Sequence, residues 1–148
     1  MTTRSLPLKG WNAVKVLIDT NVILDVLCNR PEFVEQSSKV WKLCETEQVE
    51  GYISALSIPN IVYILRKELD AEKTAGIVEK LLLIFTIADL TAKDISRAAK
   101  MRLSDYEDAL QICCASRIKA QYIVTRNVKD FAGSPIVALK PSEFLDRI

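Results

Sequence analysis

The chain has 148 residues, 49% of them apolar and 26% charged, with a net charge of +1 and no histidine. That length suits one domain, and the composition is that of a globular chain and not a disordered one. A charge so near zero leaves any nucleic-acid partner to be held by a local patch or through metal ions, and the missing histidine excludes Ser-His-Asp and Cys-His catalysis.

Residues 1–12 lack the apolar core of a secretory signal and read as a polar tail, so the domain is expected over residues 13–148. A β-branched run over 14–18 reads as a buried strand. Asp19-Thr-Asn-Val follows as a helix start, with Thr20 or Asn21 as cap. A short first helix ends over 25–29, before Pro31, and a second helix covers 32–47. A strand at 51–54 leads to a helix from Ser57 to about Leu69, in which Pro59 fits the first turn. A further helix spans 71–83, and a third strand covers 85–88. Thr91 or Asp94 opens the next helix. Asp105 opens another, to about Lys119, with Asp105 as a cap and Asp108 three residues on. A strand at 122–125, a strand at 135–137 and a helix from Pro141 complete the chain. Strands alternating with helices predict an α/β domain with a parallel sheet. There is no internal repeat or linker.

No apolar run reaches the roughly 18 residues needed to span a bilayer. The four cysteines, Cys28, Cys44, Cys113 and Cys114, form no C-x-x-C. They are expected as reduced, mostly buried thiols in a cytoplasmic protein. Trp41 and Tyr63 are expected in core packing and not in base stacking.

Ligands of open parallel sheets bind beyond the carboxyl ends of the strands. Asp19 follows the first strand, Ser54 and Asn60 follow the second, and Asn127 and Asp130 follow the fourth, within Thr125-Arg126-Asn127-Val-Lys-Asp130-Phe131. Asp105 and Asp108 share a helix face by their spacing of three, while Glu107 is expected to face away into solvent. Carboxylates gathered in this way suit Mg²⁺ or Mn²⁺, which take oxygen ligands and activate water for phosphodiester hydrolysis. Arg126 and Lys129, with Arg66, Lys67, Arg102 or Lys119, are candidates for steering phosphates. Taken singly, each of these residues also has a plainer reading. Asp19, Asp105 and Asn127 could cap helices or turns, Asn60 could satisfy backbone donors, and the cations could be ordinary solvated charges.

Four segments in order, Val-Leu-Ile-Asp19-Thr-Asn-Val-Ile-Leu-Asp, Ile-Ser-Ala-Leu-Ser-Ile-Pro-Asn60, Asp105-Tyr-Glu-Asp108-Ala-Leu and Val-Thr-Arg-Asn127-Val-Lys-Asp130-Phe, resemble the successive motifs of PIN domains. The resemblance runs from about Val14 to the end of the chain. It implies a three-layer α/β/α fold with a five-stranded parallel sheet in the order 3-2-1-4-5. It further implies a Mg²⁺- or Mn²⁺-dependent ribonuclease, the toxin half of a toxin–antitoxin pair, with RNA and a protein antitoxin as partners and a homodimeric state. By resemblance Asp19, Asp108, Asp130 and Asn60 are the catalytic set, and Asp19, Asp108, Asp105 and Asp130 hold metal. Thr20, Asn21, Ser54, Thr125, Arg126 and Asn127 surround them. Asn60 departs from the glutamate most of the family carries and supplies no charge, which leaves one ion or two open. A PIN fold that has lost catalysis and serves as a binding module is the alternative. A phosphoacceptor receiver domain is a remote one, because it leaves Asp105 and Asp108 unexplained.

Overall fold

The computed structural model describes residues 13–148, so the expected tail over residues 1–12 lies outside the described residues. Five strands form one parallel sheet: β1 (Val14–Ile18), β2 (Val49–Ser54), β3 (Thr86–Ala88), β4 (Tyr122–Val124) and β5 (Val137–Leu139), in the order β3-β2-β1-β4-β5. Seven α-helices connect them: α1 (Thr20–Leu27), α2 (Val34–Glu45), α3 (Ser57–Leu65), α4 (Ala71–Ile84), α5 (Ala92–Met101), α6 (Tyr106–Arg117) and α7 (Pro141–Arg147).

The sheet is covered on both faces, as an all-parallel sheet must be. Alternation along β1 sends Val16 and Ile18 into one core, with Ile23, Val40, Ile61, Leu81 and Phe144 of α1, α2, α3, α4 and α7. Leu17 points the other way, into a second core with Ile112 and Cys114 of α6, Ile123 of β4 and Phe131. Helix α5 packs on α6 through Ala98, Ala109 and Cys113. Arg117 ties the same two helices through the fully buried Asp94, 3.0 Å away. Gly51 of β2 leaves room for the Cys44 thiol and the Phe85 ring, where a Cβ would lie 2.5 Å from Cys44 Sγ.

The elements arrive in the expected order with several ends shifted: β2 begins at Val49 and not at 51, and α3 stops at Leu65 and not near Leu69. The last strand sits two residues later than expected, over Val137–Leu139 and not 135–137, because the register on β4 pairs Tyr122 with Val137 and Val124 with Leu139. Pro135 has no N–H to give to a ladder. The cap of α1 is Asp19 itself, and not Thr20 or Asn21. Cys44, Cys113 and Cys114 are buried and free, while Cys28 is exposed. Among the described residues no helix is long and apolar enough to cross a membrane.

The chain builds outward from β1 through β2 to β3, then returns to place β4 on the other side of β1. The carboxyl ends of β1 and β4 therefore diverge into helices of opposite layers, and a crevice opens between them.

Candidate metal and phosphodiester site

The crevice is a cleft of about 380 Å³ lined by Asp19, Thr20, Asn21, Asn60, Asp105, Glu107, Asp108, Gln111, Asn127 and Asp130. Its apolar wall is Leu24, Leu56 and Ile64, with Tyr63 and Lys67 at its edge. It thus gathers acids from β1, α6 and the 3-10 turn Val128–Phe131. Among the described residues Lys67 is its one lining cation.

Asp19 is the most constrained member, 9% exposed at the end of β1. Its Oδ1 accepts from the Thr20 backbone N–H at 2.8 Å and from Gln111 Nε2 at 3.3 Å. Its Oδ2 accepts from the Thr125 hydroxyl at 2.8 Å. Burial pushes the Asp19 pKa up, and these three donors, with the Arg126 charge, pull it back. Asp108, one helical turn into α6, is pushed up to about 7 by burial and by the charges of Asp105, Asp130, Asp19 and Glu107. Asp105 caps α6, its Oδ1 accepting from the N–H groups of Glu107 and Asp108 at 2.9 and 3.2 Å. That cap occupies one carboxylate oxygen. Asp130 stands exposed in the 3-10 turn, and Asn127 precedes it without a side-chain capping bond. Asn60 lies in the first turn of α3 and reaches the cleft as an uncharged amide.

Four expectations change. Ser54 is buried, and its hydroxyl accepts from the Leu56 N–H to close the turn into α3; it does not line the cleft. Arg126 does not line the cleft; it donates from Nε to Asp25 Oδ2 at 2.9 Å with its guanidinium 3.9 Å above the Phe33 ring. Asp25 is fully buried and is also held by Ser37 and Arg30, so Arg126 neutralises a core charge. Glu107 is exposed, yet it stands on the cleft rim and does not face away. Tyr63 is 70% exposed and belongs to no core, whereas Trp41 packs edge-on against Phe85 at 5.2 Å as expected.

Two site residues escaped the sequence reading. Gln111 donates to both Asp19 and Ser57 Oγ, the latter at 3.5 Å, and Ser57 Oγ lies 2.6 Å from Thr20 Oγ1. Signals for both were present. Gln111 is three residues beyond Asp108 on the same helix, a lone amide in the otherwise apolar run Ala109–Ala115. Ser57 opens the helix that carries Asn60.

The donor set is all oxygen, with several carboxylates opposed by one lysine, which fits a hard divalent cation. Among the described residues no three acidic or thiol side chains converge into a ready-made metal cage.

Fold and site together define a class: a three-layer, all-parallel α/β domain with an acidic cleft where its strand order reverses. The family model described as PIN domain matches residues 15–129, and the chain belongs to that family. It is 25% identical over 141 residues to Ribonuclease VapC1 of Aquifex aeolicus, covering 92% of this chain and 96% of that one. Its fold is that of the FitAcB structure from Neisseria gonorrhoeae, with a TM-score of 0.66 and 20% identity over 86% of this chain and 98% of the other. It also matches Mycobacterium tuberculosis VapC20, described as a Sarcin-Ricin loop cleaving toxin, with a TM-score of 0.68 and 12% identity over 85% and 99% of the two chains.

Proposed function

We propose that this protein is a Mg²⁺- or Mn²⁺-dependent endoribonuclease and the toxin component of a toxin–antitoxin pair. The observation that carries the reading is that Asp19, Asp105, Asp108 and Asp130, from three separate parts of the chain, line one cleft in which Lys67 is the single basic lining residue among the described residues. Such a concentration of like charge is costly unless a cation is present. The similarity to Ribonuclease VapC1 over nearly the whole chain supports RNA as the substrate. The fold shared with a DNA-bound VapBC complex from Salmonella typhimurium, with a TM-score of 0.66 and 20% identity over 86% of this chain and 98% of the other, supports an antitoxin partner.

In this reading Asp19 and Asp108 hold the ion, with Asp130, Asp105 and Asn60 completing its surroundings directly or through water. A bound divalent ion lowers the pKa of water and stabilises the leaving oxygen of a phosphodiester. The protein's part is positional. Thr125, Gln111 and the Thr20 N–H fix both oxygens of Asp19, so the carboxylate cannot swing. Asp108, whose pKa burial and the neighbouring acids raise to about 7, would hold the ion as the carboxylate. Asn60 supplies oxygen without charge, which favours one tightly held ion over two.

The test is cleavage of a single-stranded or structured RNA with Mn²⁺ present or chelated. Cleavage should require the ion and vanish in Asp108→Asn. Activity surviving that substitution would overturn the assignment. We further propose a cytoplasmic homodimer, to be checked by light scattering of the purified chain.

A further inference from the structure

The acidic cleft poses a problem for a polyanionic substrate, since five of its lining residues are acidic and one is basic. Arg126 is withdrawn onto Asp25 and Phe33, and Arg117 onto Asp94. Charge attraction at the cleft therefore contributes little to holding RNA. At the cleft edge, Tyr63 of α3 is 70% exposed, three residues beyond Asn60 on the same helix face. Among the described residues its ring makes no contact with another aromatic ring, and Lys67 Nζ sits 5.1 Å from its centroid. An aromatic so exposed gains little for the fold.

Resting on the ribonuclease reading, we propose that Tyr63 is a stacking platform for one unpaired nucleobase next to the scissile phosphate. Lys67 covers one face of the ring and meets the adjoining backbone phosphate, while the base lies on the open face. Stacking is indifferent to the acidic field that repels the backbone, because every base has a neutral π-face. Lys67 holds the ring in place through its cation–π contact and supplies a compensating charge. The substrate class is thereby narrowed to RNA with an unpaired base at the cut site, in a loop, a bulge or a single strand.

The test uses the full chain with metal chelated, so that nothing is cut, and a fluorescent single-stranded RNA beside an abasic strand of equal length. Tyr63→Ala should weaken binding of the RNA roughly ten-fold, Tyr63→Phe should restore it, and the abasic strand should bind all three proteins equally poorly. Affinity should fall with salt at a slope of about −0.7, the value for one phosphate contact on a single strand. With Mn²⁺ restored, Tyr63→Ala should raise KM and leave kcat near its original value. Tyr63 is exposed, so its truncation leaves the fold intact, and an unchanged Tm verifies it. Equal RNA affinity of Tyr63→Ala and the parent, with cleavage intact, overturns the stacking site and leaves the ribonuclease standing. The same result with a changed oligomeric state assigns Tyr63 to a protein contact instead. A parent protein that neither binds nor cleaves RNA overturns both.

Discussion

The Thr125 hydroxyl donates to Asp19 Oδ2 at 2.8 Å, across the boundary between two strands whose residues lie 106 positions apart. The register of β1 on β4 creates this bond. Val124 pairs with Ile18, the Asp19 N–H donates to the Val124 carbonyl at 2.9 Å, and the next residue of each strand faces the other. Thr125 is fully buried, so its hydroxyl has no solvent alternative. Thr125→Val keeps the shape and removes the donor. It should weaken Mn²⁺ binding about ten-fold, the usual effect of losing a residue that orients a metal ligand, as read by calorimetric titration.

Asp19→Asn should abolish the response to metal without damaging the fold. A ligand at about 100 times its Kd stabilises by about 2.7 kcal/mol, a Tm rise of roughly 5–10 °C for a domain of this size. The parent should show that rise with Mn²⁺ and Asp19→Asn should show none. Without metal the variant should melt no lower than the parent, because it no longer buries a charge whose desolvation the site only partly offsets.

Metal-free stability should fall as pH rises through the titration of Asp108. Its folded pKa, about 7, stands above the ordinary value of 3.8, so the folded state binds the proton more tightly than the unfolded chain. The contribution is fully present below 3.8 and is lost as pH climbs through about 7. Asp108→Asn should flatten that part of a Tm-against-pH profile taken in chelator. A steadily rising parent profile across the same window would contradict the arrangement of acids around Asp108.

Gln111 should show opposite effects on stability and on the site. Among the described residues its buried Oε1 has no hydrogen-bond partner, a cost of about 1–3 kcal/mol, while its Nε2 holds Asp19. Gln111→Leu removes both. Thermal melting should be unchanged or raised, and Mn²⁺ affinity should drop. A residue serving only the fold would lower the Tm and leave the affinity alone.

Arg126 belongs to the core network and not to the cleft. Arg126→Ala should cost roughly 2–3 kcal/mol, below the full penalty of an orphaned buried charge, because Arg30 and Ser37 still hold Asp25 at 3.3 and 3.2 Å. The KM for RNA should not move. A raised KM with unchanged stability would return Arg126 to the substrate path.

Much of this protein was legible before folding. The alternation of strand and helix, the parallel sheet, and the polar residues at strand ends follow from periodicity and from where β-branched runs stop, both local properties of the chain. Asp19, Asp108, Asp130 and Asn60 fall at one cleft because the strand ends on which they depend share one edge. The failures share a different cause. Arg126 and Tyr63 are each followed or preceded by residues that suit either role, and only the packing of α1 and α2 against the segment after β4 shows that Asp25 claims the arginine. Only the rotation of α3, which buries Ile61 and Leu65 in the first core, leaves the tyrosine ring bare. Sequence by itself determined which elements form and which residues end them, since those depend on neighbours a few positions away. Tertiary structure alone decided how Asp19 is held, by Thr125 just after β4 and Gln111 from α6. Hydrogen bonds across such separations depend on strand register and helix rotation, which the folded core sets as a whole.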